Sequence, residues 1–255
     1  MPNSVYVITG GGSGLGFATA QYILTQGHRV ALLDLNRAEG EKVIASLASP
    51  DVVFYPCDVT HAQMVTDVFA SIKDTFGRID VCINCAGIAP AQRVLDKSGQ
   101  ANELDLFAQV VNINLIGSYN VGRVAAQYMA QNNAADNEDN GVIINTASVA
   151  AYEGQIGQTA YAASKGGIVS LGLAMARDLA KQRIRVNTIA PGIMGTPMLL
   201  AMPEHVQTAL AATVVHPPRL GEPEEFARLA EHIVHNRYLN GETIRLDGAL
   251  RMGPK

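Results

Sequence analysis

Short apolar runs and longer amphipathic stretches alternate from one end of the chain to the other. Val5-Tyr6-Val7-Ile8 is an uninterrupted β-branched and aromatic run, the pattern of a strand buried on both faces. Further runs of this kind predict strands over 4–9, 29–34, 51–56, 79–84, 141–146, 184–189 and 242–246. Helices are predicted between them, near 15–26, 37–48, 61–76, 102–131, 159–181 and 224–235. This alternation predicts an α/β fold: a doubly wound, seven-stranded parallel sheet with right-handed crossovers and helices on both faces. No repeat or linker interrupts it, so residues 1–255 are expected to form one domain. The polar run from Asn132 to Asn140 predicts a surface loop. Residues 89–102 and 192–220 fit neither pattern. Both follow the carboxyl ends of strands, where doubly wound sheets bind ligands, and both are candidate substrate loops. The second carries Met194, Met198, Leu199, Leu200 and Met202, an adaptable apolar set that suits a lid or ordinary helix packing equally.

The first strand runs straight into Thr9-Gly10-Gly11-Gly12-Ser13-Gly14-Leu15-Gly16 and then a helical stretch. Strand, glycine loop and helix aim backbone N–H groups and a helix N-terminus at a pyrophosphate, which makes the expected fold Rossmann-like. Gly10, Gly14 and Gly16 are spaced Gly-x-x-x-Gly-x-Gly, a departure from the common Gly-x-Gly-x-x-Gly fingerprint. The second predicted strand ends on Asp34, eighteen residues beyond Gly16. A carboxylate there accepts hydrogen bonds from both ribose hydroxyls and repels a 2′-phosphate. At about 4 Å and an effective dielectric near 20 that repulsion is roughly 4 kcal/mol per charge pair. Arg37, three residues on, offsets only part of it, so NAD is expected over NADP. Asp58 suits either an adenine contact or an N-cap for the helix from His61.

A chain of 255 residues, 48% hydrophobic, can build one large core. A net charge of −4 with no basic block argues against a nucleic-acid partner. No apolar run approaches the ~20 residues needed to span a membrane. The first strand begins within four residues of Met1, which leaves no room for a signal or transit peptide. A soluble, cytoplasmic protein is therefore expected. Cys82-x-x-Cys85 resembles a redox or metal pair, but it falls in a buried strand end where cysteine acts as a small hydrophobe. None of the six histidines has metal-ligand spacing, and no metal is expected. His205, His216, His232 and His235 are read as surface or loop residues.

Tyr161 and Lys165 are one helical turn apart, and Ser148 lies thirteen residues before Tyr161. Residues four apart share a helix face, so an ammonium can lie beside a phenol. A free phenol titrates near pH 10, and a neighbouring cation lowers that value. A hydroxyl from another element can then hold a carbonyl or alcohol oxygen against the phenol. By spacing alone the pair also fits an ordinary exposed helix.

With the glycine loop, Asp34, Asn84-Cys85-Ala86-Gly87, Asn114, Ser148, Tyr161 and Lys165 in order, the whole chain resembles the short-chain dehydrogenase/reductase family. The resemblance implies a catalytic tetrad. Tyr161 is the general acid/base, Ser148 orients the substrate oxygen, Lys165 holds the nicotinamide ribose and Asn114 keeps a water in the proton relay. Cys85 stands where the family has a second Asn. The stretches from Gly141 to Gln155 and from Asn240 to Met252, with the long segment 89–105, are similar to the subgroup that oxidises 3-hydroxyacyl-CoA in fatty-acid and branched-chain acyl breakdown. Steroids, sugars and acyl-carrier substrates remain alternatives, as does a nucleotide-binding scaffold without turnover. By the same resemblance Gly10, Ser13, Gly14, Leu15, Gly16, Asp34, Asp58, Val59, Cys85, Ala86, Gly87, Tyr161, Lys165 and Thr196 contact NAD, while Ser148, Gln155 and Tyr161 meet the substrate. A homotetramer is implied too. The organellar members' extra N-terminal residues are missing, which implies a bacterial-type relative.

Overall fold

The computed structural model describes residues 3–135 and 138–254; Asp136 and Asn137 of the polar loop lie outside the described residues, as does the side chain of Met198. Seven strands form one sheet: β1 Val5–Thr9, β2 Arg29–Asp34, β3 Val52–Pro56, β4 Val81–Asn84, β5 Gly141–Thr146, β6 Ile184–Pro191 and β7 Thr243–Leu246. Their spatial order is β3-β2-β1-β4-β5-β6-β7, and every pairing is parallel. The order reverses direction between β1 and β4, which opens a crevice at the carboxyl ends of those strands.

Side chains alternate across a strand, so β1 feeds two cores. Val5 and Val7 pack with Val65, Phe69 and Ile72 of helix α3 (Ala62–Phe76) and with Val121 and Val124 of α5 (Ser118–Met129). Tyr6 and Ile8 face Ala20 and Ile23 of α1 (Gly14–Thr25) on the other side, in a cluster that also takes in Val43 of α2 (Arg37–Leu47). Phe226, Ala230 and Ile233 of the helix Pro223–His235 complete that layer. Each large apolar side chain buried this way contributes about 1.5–3 kcal/mol.

Three local expectations need correction. The helix from 102 to 131 begins only at Asp105, because Asn102 is held in a hairpin by Val94 O (3.0 Å) and Arg93 O (2.7 Å). From Asp105 it runs as α4 (Asp105–Val111), a π-helical turn over Asn112–Gly117, and then α5. Asp58 does not cap α3. His61 does, its Nδ1 accepting from Met64 N at 3.1 Å, while Asp58 Oδ1 accepts from the amide and hydroxyl of Thr60 at 2.9 and 2.7 Å. The helix starts three residues late for an Asp58 cap, since a cap directly precedes the first helical residue. Finally, the segment 192–220 contains helices Pro197–Leu200 and Glu204–Ala211, too short for a helical period to declare itself.

Candidate active site

The crevice at the sheet reversal is a cleft of about 780 Å³. At one end Gly10 and Gly14 have φ of +65° and +54°, conformations that favour glycine. A Cβ on Gly10 would lie 2.8 Å from Ala86 N, so the loop can lie against β4 only without one. Thr9, at the end of β1, fixes that contact from beneath: its hydroxyl accepts from Cys85 N and Ala86 N, both at 3.1 Å. Ser13 precedes α1 without capping it by its side chain, so the first amides of the helix face the cleft free for an anion. Asp34 follows at the end of β2, where its Oδ2 accepts from Gly12 N at 2.9 Å.

The other end of the cleft holds the titratable groups. Tyr161 and Lys165 lie on α6 (Thr159–Asp178), and Ser148 lies just past β5. Lys165 is buried and donates through Nζ to Thr146 O at 2.7 Å, with its nitrogen 5.7 Å from the centre of the Tyr161 ring. Burial lowers the Lys165 pKa to about 8, against a smaller pull from the nearby Cys85 thiol. Burial raises the Tyr161 pKa, and a hydrogen bond with Ser148 opposes the rise. Burial rather than Lys165 sets the direction of that shift; the ammonium is itself desolvated and donates to a carbonyl. Cys85 Sγ accepts from Thr146 Oγ1 at 3.7 Å, and burial holds its thiol up at about 11.

Asn114 does not line the cleft; it stands fully buried behind it, inside the π-helical turn. Its Oδ1 accepts from Ile88 N at 2.8 Å, and its Nδ2 donates to Ile88 O at 2.9 Å and Ser164 Oγ at 3.0 Å. The Ser164 hydroxyl in turn donates to Tyr161 O at 2.8 Å. Asn114 thus ties the strand-end loop to the backbone of the Tyr161 helix. The π-helical turn is the kind of local irregularity that marks functional sites.

A family model for short chain dehydrogenase matches residues 4–207. The chain belongs to the short-chain dehydrogenase family. It is an oxidoreductase that works with a nicotinamide dinucleotide. The human 3-hydroxyacyl-CoA dehydrogenase type-2 is 52% identical over 251 residues, 98% of this chain and 96% of that protein. The Drosophila melanogaster protein of the same name is 49% identical, with 99% of each covered. The crystal structure of 3-hydroxyacyl-CoA dehydrogenase type-2 from Mycobacterium avium superposes with a TM-score of 0.92 at 38% identity, covering 99% of this chain and 97% of that one.

In this short-chain dehydrogenase the residues present fit a dinucleotide. The glycine cradle would be filled by a Cβ at Gly10, and α1 presents uncapped amides beside the Asp34 carboxylate. Gly10, Ser13, Gly14, Leu15, Gly16, Asp34, Asp58, Val59, Cys85, Ala86, Gly87 and Thr196 all line the cleft, as do Ser148, Tyr161 and Lys165. Gln155 does not; its side chain donates to Gly253 O at 3.3 Å, away from the cleft. Of the two candidate substrate loops, the first reaches the lining through Ala89 and the second through Gly192, Met194, Thr196 and Pro197, and the hairpin around Leu95 does not. Sequence reasoning missed Thr9, Thr146 and Ser164. Thr9 could have been suspected from its place before the glycines, whereas Thr146 acts toward Lys165 through a backbone carbonyl, which leaves no residue signature. Among the described residues no His/Cys/Asp/Glu group suits a metal ion, and no helix is long and apolar enough to cross a membrane.

Proposed function

We propose that this dehydrogenase uses NAD to oxidise the hydroxyl of (S)-3-hydroxyacyl-CoA to the 3-oxo group, in acyl-chain breakdown, with Tyr161 as general acid/base. The observation that carries the chemistry is the convergence of Ser148, Tyr161 and Lys165 in the cleft whose far end holds Asp34 and the open end of α1. The substrate class rests on the full-length likeness to enzymes named for it. When bound, the nicotinamide supplies the acceptor for the hydride.

The chain's own residues do the rest. Ser148 Oγ holds the substrate oxygen beside the Tyr161 hydroxyl. Tyr161 takes the hydroxyl proton in the oxidation and returns it in the reduction. A phenol kept protonated by burial is ready to donate at neutral pH. Lys165, fixed by Thr146 O, places a positive charge where a phenolate forms and holds the nicotinamide ribose. Asn114 fixes Ile88 and, through Ser164, the Tyr161 turn, and so positions the proton relay from behind the cleft. Asp34 selects NAD by charge.

Initial rates with acetoacetyl-CoA test this directly, NADH against NADPH and wild type against Tyr161→Phe. NADH consumption that falls about 10²- to 10⁴-fold in the variant is expected; equal turnover would sink the mechanism. Phe107, Ile116, Tyr119 and Leu173 are exposed apolar side chains on α4 to α6, which supports a homotetramer. Light scattering that gives a monomer would overturn that. Cys57, Cys82 and Cys85 are free thiols, as befits a cytoplasmic enzyme, a placement that cell fractionation tests.

A further inference from the structure

Between Ser148 and Tyr161 the chain makes an irregular excursion whose middle, Tyr152 to Gln158, is held by remote parts of the chain. Glu153 is the hub. Its two carboxylate oxygens accept from Arg245 Nη1 and Nη2 at 2.9 and 3.2 Å, and Oε2 also accepts from Met252 N at 2.9 Å. Arg251 Nε adds an ion pair at 3.5 Å. Arg245 is anchored in turn by Asp247 at 2.6 Å and Leu250 O at 3.0 Å, and its guanidinium lies 5.3 Å from the centre of the Tyr152 ring. The tail continues along the loop: Ile156 N donates to Pro254 O at 3.0 Å and Gln155 Nε2 to Gly253 O at 3.3 Å.

From this geometry we infer that the C-terminal tail, Arg251 to Pro254, is a strap, and that Glu153 is a positioning residue through which it sets the distance between Ser148 and Tyr161. Both hydroxyls must meet one substrate oxygen, yet they sit on opposite ends of a segment with little regular structure, one 3-10 turn over Val149–Ala151. A tether closer to Tyr161, Gln92 N to Gly157 O at 2.8 Å, restrains the loop from the side of residues 89–105. The tail adds restraints at Glu153, Gln155 and Ile156. Glu153 has only 19% of its side chain exposed, and its hydrogen bonds are charge-assisted on a bidentate fork, the strong class. Burial works against ionisation, but the Arg245 hydrogen bonds dominate and hold the carboxylate charged. The inference rests on the proposed roles of Ser148 and Tyr161, and its test is arranged to survive their failure.

The experiment is Glu153→Gln and Glu153→Asp in the full chain, read by amide hydrogen exchange, NADH binding and acetoacetyl-CoA kinetics. Losing a charge-assisted partner should speed exchange at Ile156 and Met252 by about tenfold or more, with exchange in β1 and α1 unchanged. In Glu153→Gln the turnover number should fall about tenfold while NADH affinity stays within about twofold. Glu153→Asp, which keeps the charge on a shorter stem, should recover part of both. Unchanged exchange at Ile156 overturns the strap. Faster exchange with wild-type turnover overturns the positioning role, and faster exchange throughout the molecule overturns both. If the wild type itself does not turn over acetoacetyl-CoA, the proposed substrate fails, and exchange at Ile156 still decides the strap.

Discussion

Replacing Asp34 with Asn isolates the charge that should select the cofactor. Asp34 Oδ2 accepts from Gly12 N at 2.9 Å, and an amide oxygen in the same place can accept that bond. The glycine loop should therefore keep its shape while one negative charge disappears. A like-charge pair about 4 Å apart repels by about 4 kcal/mol at an effective dielectric of 20 and by about 1 kcal/mol in bulk water. Asp34 is half-buried at the mouth of the cleft, so about 2 kcal/mol is a fair middle value, which is roughly 30-fold in selectivity. NAD itself loses about 1 kcal/mol, because a charged acceptor becomes a neutral one. The assay is kcat/KM for NADH and NADPH with one carbonyl substrate, alongside a thermal melt to show that the fold persists. A ratio that moves by less than about threefold, with an unchanged melt, would refute the assignment of cofactor choice to Asp34.

Other perturbations read other parts of the site. Tyr161 is kept protonated by burial, so oxidation, which needs the phenolate, should quicken as pH rises from 6 toward 8. Both directions should weaken above about 8, where buried Lys165 loses its proton; an oxidation rate that falls between pH 6 and 8 would contradict this. Gly10→Ala puts a Cβ 2.8 Å from Ala86 N on a backbone with φ +65°. The backbone penalty and overpacking together should cost about 2–5 kcal/mol, seen as a lower denaturant midpoint and weaker dinucleotide binding. Asn114→Ala removes the partner of the part-buried N–H and C=O of Ile88, at about 1 kcal/mol for each hydrogen bond lost. A melting temperature within about a degree of wild type would argue against that tie.

The elements that could be foreseen are those whose cause is local. The glycine loop, the apolar strand runs and the Tyr161–Lys165 spacing each lie within a few consecutive residues, and periodicity or backbone sterics alone account for them. The parallel sheet follows from their alternation, because a crossover can return only one way. Contacts between distant residues could not be foreseen. Asn114 meets Ser164 fifty residues away, and Arg245 meets Glu153 across ninety-two; no pattern in the chain pairs a given arginine with a given carboxylate. His61 displaced Asp58 as a cap because helix starts are decided to within one residue by packing, finer than composition resolves. The pKa order also came from the fold: spacing put a cation beside a phenol, but burial decided that Lys165 would be weakened and Tyr161 kept protonated. Sequence determined which chemistry was possible, since chemistry resides in side chains. Tertiary structure decided how those groups are solvated and aimed, since both depend on neighbours the chain brings in from far away.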